Sequence, residues 1–447
     1  MDGMQNWPIE AVQYIQKLEQ RIQKLERELQ KIKTDFEEYK KRHPPNVGVK
    51  DGKPYAFKSV NQSSTPKKPG AKPGHKPYFR PMPDHIDFVR RIPVLVCPEC
   101  GGTHLSKKVQ QIRTRTYEDI PVYTPVVVQL EIERWYCRTC KKLVETPVTW
   151  VLPKARLSLR IMLIVTWLKV HLRMTEEAIP VMLERLFGLK LSEGEVIHIL
   201  VQVAQAFGPY YQQLLEDIRD APARNIDETT WRINGENTNL WVFVTKGETL
   251  YKIASSRSHT VPLNVLGRKH NGVDIHDRFS AYETLAEKTK NIQQDCWTHI
   301  IKNAEELAHF YGEEGTQILQ VVKDIYAAAK AYDHKGTDKD IEILFQTMAD
   351  AFNRPYKSSH CHRFVVNLLN EKDNLFEFVK NPHVDGTNNR AERAIRPPVI
   401  ARKISGGNRS EQGARNYEIL LSVTQTLHQN GQNLIEHGPS ILLTSHG

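Results

Sequence analysis

Three carboxylates, two cysteine pairs and one arginine-dense stretch are the residues of this sequence with chemistry to offer. Asp227 lies in IDETTW, Asp277 in DIHDRF and Glu392 in NNRAERAI. Three acids brought to one point repel one another unless divalent cations sit between them. Two Mg2+ or Mn2+ ions about 4 Å apart, held by such a set, activate a water or a 3′-hydroxyl and stabilise the departing oxygen in phosphodiester chemistry. Each acid also has a plainer reading. Asp227 and Glu228 can form a polar strand surface, Asp274 rivals Asp277 for the second position, and Glu392, three residues after Asn389, can close a capping box.

The cysteines offer different chemistry. Cys97-Pro-Glu-Cys100 and Cys137-Arg-Thr-Cys140 present four thiolates in two tight turns, the donor set of one closed tetrahedral Zn2+ site. Redox exchange is the competing use of a CxxC pair, but two matched pairs favour structural zinc. The 36 residues between the knuckles include Val128, Leu130 and Ile132 alternating with Gln129, Glu131 and Glu133, which predicts a zinc ribbon with an enlarged hairpin. Around Glu392, residues 389–415 carry Arg390, Arg393, Arg396, Arg402, Lys403, Arg409 and Arg415 against only Glu392 and Glu411. Such a stretch suits phosphate, with guanidinium forks making bidentate contacts. Gly406-Gly407 would let backbone approach a nucleic-acid strand closely. Helix-surface charge is the bland alternative. Cys296 and His299 either pack within a core, holding a strand's end against the helical insert after it, or bind a second metal with Cys361 and His362.

These groups need elements to bring them together. Strand patterns occupy Arg224–Ile233, Leu240–Thr245, Leu250–Ala254, Gly272–His276 and Asn291–Asp295. Helix-capable stretches, Ser258–Leu266 and Ala281–Glu287, precede the fourth and fifth strands. The order βββαβαβ is that of a ribonuclease H-like sheet, in which the first and fourth strands are neighbours. Asp227 and Asp277 then converge, and a short helix around 388–396, ended by Pro397-Pro398, brings Glu392 over their edge. Residues 300–380 read as helical for longer than such a fold needs, and so as an insertion.

Upstream, residues 155–218 read as helices. Two of them are separated by a Gly-Leu-Lys-Leu-Ser turn, with Ser192 as N-cap and Glu195 at its third position. This is either a DNA-reading helix-turn-helix or a plain helical hairpin. Residues 8–42 carry a heptad, with Ile15, Ile22, Leu29 and Phe36 at a and Leu18, Leu25, Ile32 and Tyr39 at d. That pattern predicts a self-associating coiled coil rather than one helix packed on its own body. From 44 to 85 prolines and glycines recur. Between Lys40 and His85 stand eleven Lys/Arg and two Asp/Glu, a basic linker in which Lys67, Lys68, Lys72 and Lys76 can follow a phosphate backbone. The whole chain, 447 residues with 62 Lys+Arg against 52 Asp+Glu, has a formal charge of +10, which favours a polyanionic partner. Its most apolar stretch, 161–170, is half the length of a membrane span, and the N-terminus has neither the basic start nor the apolar core of a secretory signal. A cytoplasmic, nucleoid-associated protein with no membrane partner is expected.

The segments IDETTWRINGENTNLWVFV, DIHDRFSAYETL, QDCWTHIIKNAEE and NNRAERAIRPPVIARKISGGNRSEQGAR resemble the catalytic blocks of insertion sequence 66 family transposases, which are prokaryotic DDE enzymes. The likeness extends to the coiled-coil start, the KPGAKPGHK linker and the CPECGG knuckle, and so covers nearly the whole chain. It implies a multidomain α+β protein: coiled coil (1–43), basic linker (44–85), zinc-binding domain (86–150), helical region that is a candidate DNA reader (151–220), ribonuclease H-like catalytic domain (221–430) and tail (431–447). It further implies Asp227, Asp277 and Glu392 as catalytic magnesium ligands, with Arg393, Arg396, Arg402 and Lys403 on DNA. CWTH is similar to a Cys-x-x-His signature that such transposases carry after the second Asp. Asp274 and His276 are departures from the pattern before that residue. The implied activity is cleavage at transposon terminal repeats, then attack of the freed 3′-hydroxyl on target DNA, with accessory transposition proteins as possible partners. A catalytically idle zinc-ribbon DNA-binding protein and a ribonuclease H-like nuclease acting on branched DNA are the competing functions.

Overall fold

A computed structural model describes residues 83–444, apart from 96–98, 104–105, 107–110, 115, 119–123, 147 and 154. The expected coiled coil, the linker lysines Lys67, Lys68, Lys72 and Lys76, and Cys97 lie outside the described residues. The chain divides into two compact units, Met1–Asp119 and Ile120–Gly447. The described residues of the first contain no helix or strand.

The second unit begins with a hairpin, β1 (Arg134–Cys137) and β2 (Lys142–Glu145), whose turn carries Cys140. Here one expectation fails. Residues 124–133 form no strand, and Val128, Leu130 and Ile132 are all exposed. Alternation alone does not make a strand when no neighbour completes its ladder.

Helices follow as expected: α1 (Leu159–Val170), α2 (Ala178–Phe187), α3 (Glu193–Ala206) and α4 (Gly208–Asp220). Between α2 and α3 the turn is capped at both ends. Gly188 ends α2 in the left-handed conformation, and Ser192 and Glu195 complete a capping box on α3.

A five-stranded sheet comes next, formed by β3 (Ala223–Ile233), β4 (Glu236–Val244), β5 (Thr249–Ala254), β6 (Val273–His276) and β7 (Ile292–Asp295), with α5 (Thr260–Leu266) and α6 (Ser280–Thr289) as crossovers. Its order is β5-β4-β3-β6-β7. The first three strands are antiparallel; β6 is parallel to β3, and β7 to β6. The first and fourth strands are thus neighbours. Gly272 starts β6 at φ +82°, where a Cβ would stand 2.2 Å from the Ala221 carbonyl oxygen, so only glycine lets the chain enter there.

The sheet separates two cores. One joins α1 to α4 and the β3–β5 meander to α14 (Glu411–Gln429) and α15 (Leu434–Thr444). The other gathers Ala223, Val273 and Ile275 under the helical insertion, which runs through α7 (Trp297–Phe310), α8 (Gly312–Ala331), α9 (Asp338–Phe352), α10 (Ser359–Asn370), α11 (Lys372–Leu375) and α12 (Glu377–Lys380). The last helix before α14 is α13 (Asn389–Ser405).

Side chains of α14 cover the open edge of β5. Ser422 Oγ accepts from Tyr251 N at 2.9 Å, Thr426 Oγ1 from Thr249 N at 3.0 Å, and Glu418 Oε1 from Ile253 N at 2.8 Å. Residues 418, 422 and 426 recur every four positions along one helix face, matching the period-2 spacing of the strand's free N–H groups. An edge that would template pairing with another chain is satisfied internally.

The expected stop at Pro397-Pro398 is also corrected, because α13 runs through both prolines to Ser405. Proline at 398 removes the N–H that would bond the Ala394 carbonyl. The hydroxyl of fully buried Tyr251 donates to that oxygen instead, at 2.7 Å, so the helix passes the pair without an orphaned Ala394 carbonyl.

Candidate active site

The site is built beside the middle of β3, where β6 and β7 end and where α7 and α13 begin. In the β3–β6 ladder Ala223 pairs with Val273, Arg224 with Asp274 and Asn225 with Ile275. The ladder ends at Asn225–Ile275; Asp227 stands two residues further along β3, and Asp277 follows directly after the end of β6, near enough for its charge to act on Asp227. Along this stretch the odd-numbered residues Ala223, Val273 and Ile275 face the core under the helical insertion, and both acids share their parity.

Asp274 has the opposite parity and another task. It accepts from Arg224 Nη1 at 3.0 Å and pairs with His270 Nε2 at 2.9 Å, all three side chains fully buried. Those partners, led by the His270 hydrogen bond, hold its carboxyl below the usual range against burial. His276 is likewise engaged, stacked on Tyr282 and bonded to Gln293. Glu228 receives Tyr282 Oη at 2.7 Å and Arg257 Nη2 at 2.7 Å. The rivals of Asp227 and Asp277 are thereby committed to structure.

Burial, then the charge of Glu228 and that of Asp277, pushes the Asp227 carboxyl up to about 7, although the Glu228 backbone N–H and His299 pull it down. Asp277 Oδ1 is buried with no hydrogen-bond partner. A mutually repelling pair with an unsatisfied inward oxygen is what a divalent cation relieves, so these residues fit a metal.

Asn388 fixes the helix that carries the third acid, although among the described residues Glu392 groups with Cys296 and His299 and not with Asp227 and Asp277. Wholly buried, Asn388 donates from Nδ2 to the Ile226 carbonyl at 2.8 Å and accepts at Oδ1 from Asn225 Nδ2 at 3.1 Å. Its backbone N–H donates to Cys296 Sγ at 3.0 Å. One residue therefore ties the start of α13 to the strand residue before Asp227 and to the start of α7. Asn388 is the N-cap of α13 and makes no side-chain cap bond, so Glu392, one turn in, is not a capping-box residue. Glu392 Oε1 instead lies 3.8 Å from His299 Nε2. Interaction with the Cys296 sulfur, followed by the charges of Glu392 and Asp277, pushes the His299 imidazole up to about 9 against burial. Cys361 and His362 do not join this cluster, which among the described residues comprises Cys296, His299 and Glu392. Cys296 caps the first helix of the insertion and meets the start of α13 through the Asn388 N–H.

The profile described as Transposase IS66 family matches residues 156–416, well over half of the chain and all of these elements from the helical region to α14. The chain belongs to the IS66 transposase family. A second match, to the zinc-finger binding domain of transposase IS66, covers residues 95–141 and with them both cysteine knuckles. A curated protein of Sinorhizobium fredii, described as uncharacterized protein y4hP, is 22% identical over 401 residues, spanning 79% of this chain and 72% of that one.

In this IS66 transposase the arginine-dense stretch divides into two groups. Arg393, Arg396 and Lys403 lie exposed at helical spacing along α13, continuing from Glu392. Arg402 is drawn inward and donates to the carbonyl and hydroxyl of Thr230. Arg390 pairs with Asp385 at 3.0 Å, and Arg415 pairs with Glu418 at 2.6 Å under the Tyr211 ring. The glycine pair is also used internally. Gly407 sits at φ +124°, with its Cβ position 2.3 Å from the Arg232 carbonyl oxygen, so the close approach it permits is to β3 and not to nucleic acid. Sequence reasoning missed Asn388, because an Asn beside a helix start reads as an ordinary cap. Among the described residues no helix is long and apolar enough to cross a membrane.

Proposed function

We propose that this IS66 transposase is a DDE enzyme with a ribonuclease H-like core. On this reading Asp227, Asp277 and Glu392 hold two Mg2+ or Mn2+ ions and carry out cleavage at terminal repeats followed by strand transfer. The observation that supports the reading is the parallel pairing of β3 with β6, the strands that carry Asp227 and lead into Asp277, together with the Asn388 clamp that fixes the helix bearing Glu392 against β3. The strand order, with an antiparallel meander followed by two parallel strands, supports the fold assignment.

The bound ions would lower the pKa of the attacking water or 3′-hydroxyl and neutralise charge on the phosphate. The protein's own part is position and charge. Asp227, within β3, and Asp277, just after β6, hold one side of the site, and Glu392 closes it from the first turn of α13. Arg393, Arg396 and Lys403, exposed on that helix, take the phosphates of the strand leading away from the acids. Linker residues Lys67, Lys68, Lys72 and Lys76 add salt-sensitive contacts to the DNA backbone. One Zn2+ closed by Cys97, Cys100, Cys137 and Cys140 holds the finger, and the heptads of residues 8–42 join copies of the chain. The protein works in a prokaryotic cytoplasm on nucleoid DNA.

A strand-transfer assay tests this, using DNA from the element's ends with Mg2+ or Mn2+ and comparing wild type with Glu392→Gln. Joined products from wild type alone are expected, with a loss of at least about 100-fold in the variant, the scale of one lost transition-state contact. Equal joining by both would remove Glu392 from the chemistry.

A further inference from the structure

Cys296, His299 and Glu392 each offer one ligand atom, and these atoms lie within 4.8 Å of one another. Their chemistry differs from that of the paired aspartates. Mg2+ takes hard oxygen donors in octahedral geometry, whereas a thiolate, an imidazole and a carboxylate make a borderline-soft set that selects Zn2+. Zinc bonds of about 2.0–2.3 Å place tetrahedral donors roughly 3.3–3.7 Å apart. His299 Nε2 and Glu392 Oε1, at 3.8 Å, already approach that spacing.

The rest of the set needs a contraction of about 1.5 Å at most, which falls on its two solvent-accessible members. His299 and Glu392 are each about one-third exposed, at 34% and 33%, whereas Cys296 is fully buried. One further feature fits a metal. The Asn388 N–H already points at the Cys296 sulfur, the outer hydrogen bond that orients a thiolate ligand. Three protein donors with a solvent-facing side leave a fourth position for water.

We propose that Cys296, His299 and Glu392 form a second Zn2+ site, separate from the finger, at the mouth of the candidate active site. Cys296 anchors the ion, and His299 and Glu392 close on it. On the catalytic reading given above, the ion takes Glu392 away from Asp227 and Asp277, so zinc at this site opposes Mg2+-dependent joining. Zinc binding itself does not depend on that reading.

The test uses the full-length protein, loaded with Zn2+, freed of loosely held metal by gel filtration and analysed for zinc per chain. Wild type should retain one equivalent more than Cys296→Ser, and His299→Gln, which leaves the buried sulfur in place, should lose the same equivalent. Co2+ loading should give a sulfur-to-cobalt absorption band that is weaker in Cys296→Ser by the contribution of one thiolate. An identical zinc count in wild type and both variants overturns the proposal. Because the measurement counts metal and not joined DNA, a failure of the zinc site and a failure of the catalytic assignment give different results.

Discussion

Asp227 carries the largest conflict at the scale of single residues, an acid pushed up to about 7 by burial and by two neighbouring carboxylates. An unfolded aspartate titrates near 3.9. The folded metal-free protein therefore binds this proton more tightly than the unfolded chain does. The resulting stability is present below about pH 4 and is lost as pH rises through about 7. Asp227→Asn cannot ionise and escapes that loss. In protein dialysed free of Mg2+, the variant should melt above wild type, with the gap widening from pH 4 to pH 7 and reaching roughly 5 °C at pH 8. Asp295, also pushed up to about 7, titrates in both proteins and cancels in the difference. A gap that stays constant across that range in thermal melts would show that Asp227 does not carry the strain.

At the scale of elements, α13 positions Glu392 and the exposed Arg393 and Arg396 only because it passes two prolines as a continuous helix. The Tyr251 hydroxyl stands in for the missing N–H at the Ala394 carbonyl, reaching from β5 across the core. Tyr251→Phe keeps the ring and leaves that partly buried carbonyl unpaired, which should cost about 1 kcal/mol or more in denaturant unfolding. Strand transfer should fall with it, since the helix carrying Glu392 loses its support. A stability change under about 0.5 kcal/mol would mean that the helix tolerates its prolines unaided. The α14 stripe of Glu418, Ser422 and Thr426 serves β5 in a comparable way, since a helix side chain supplies what the backbone lacks.

For the whole molecule, the chain joins a zinc-finger domain to a transposase domain, both shown by family likeness. The heptad pattern of residues 8–42 lies outside the described residues; on the proposed reading it joins copies of the chain through an a/d seam that one helix cannot bury alone. Removing residues 1–43 should therefore convert a self-associated protein to monomer in light scattering, with the melting of the remaining domains unchanged. An unaltered mass would move self-association to another surface. Paired DNA ends need at least two sites acting together, so the truncated protein should still bind end DNA but join it poorly.

The sequence by itself determined the elements and their order. Period-2 and period-3.6 patterns, the Ser192–Glu195 capping box and the strand succession are local properties, and β3 to β7 form within a few residues of where those patterns lie. The two cysteine knuckles were equally legible, because ligand type and spacing are written along the chain. Tertiary structure decided what depends on partners distant in sequence. Asp274 and Asp277 are alike as letters, and only Arg224 and His270, brought against one of them, distinguish a buried ion pair from an acid whose oxygen is left free. The Pro397-Pro398 pair read as a stop because the Tyr251 hydroxyl that rescues the helix lies nearly 150 residues earlier. Residues 128–132 alternate like a strand but pair with no strand among the described residues. In each case a local pattern proposed a role, and the presence or absence of a distant hydrogen-bonding partner decided it.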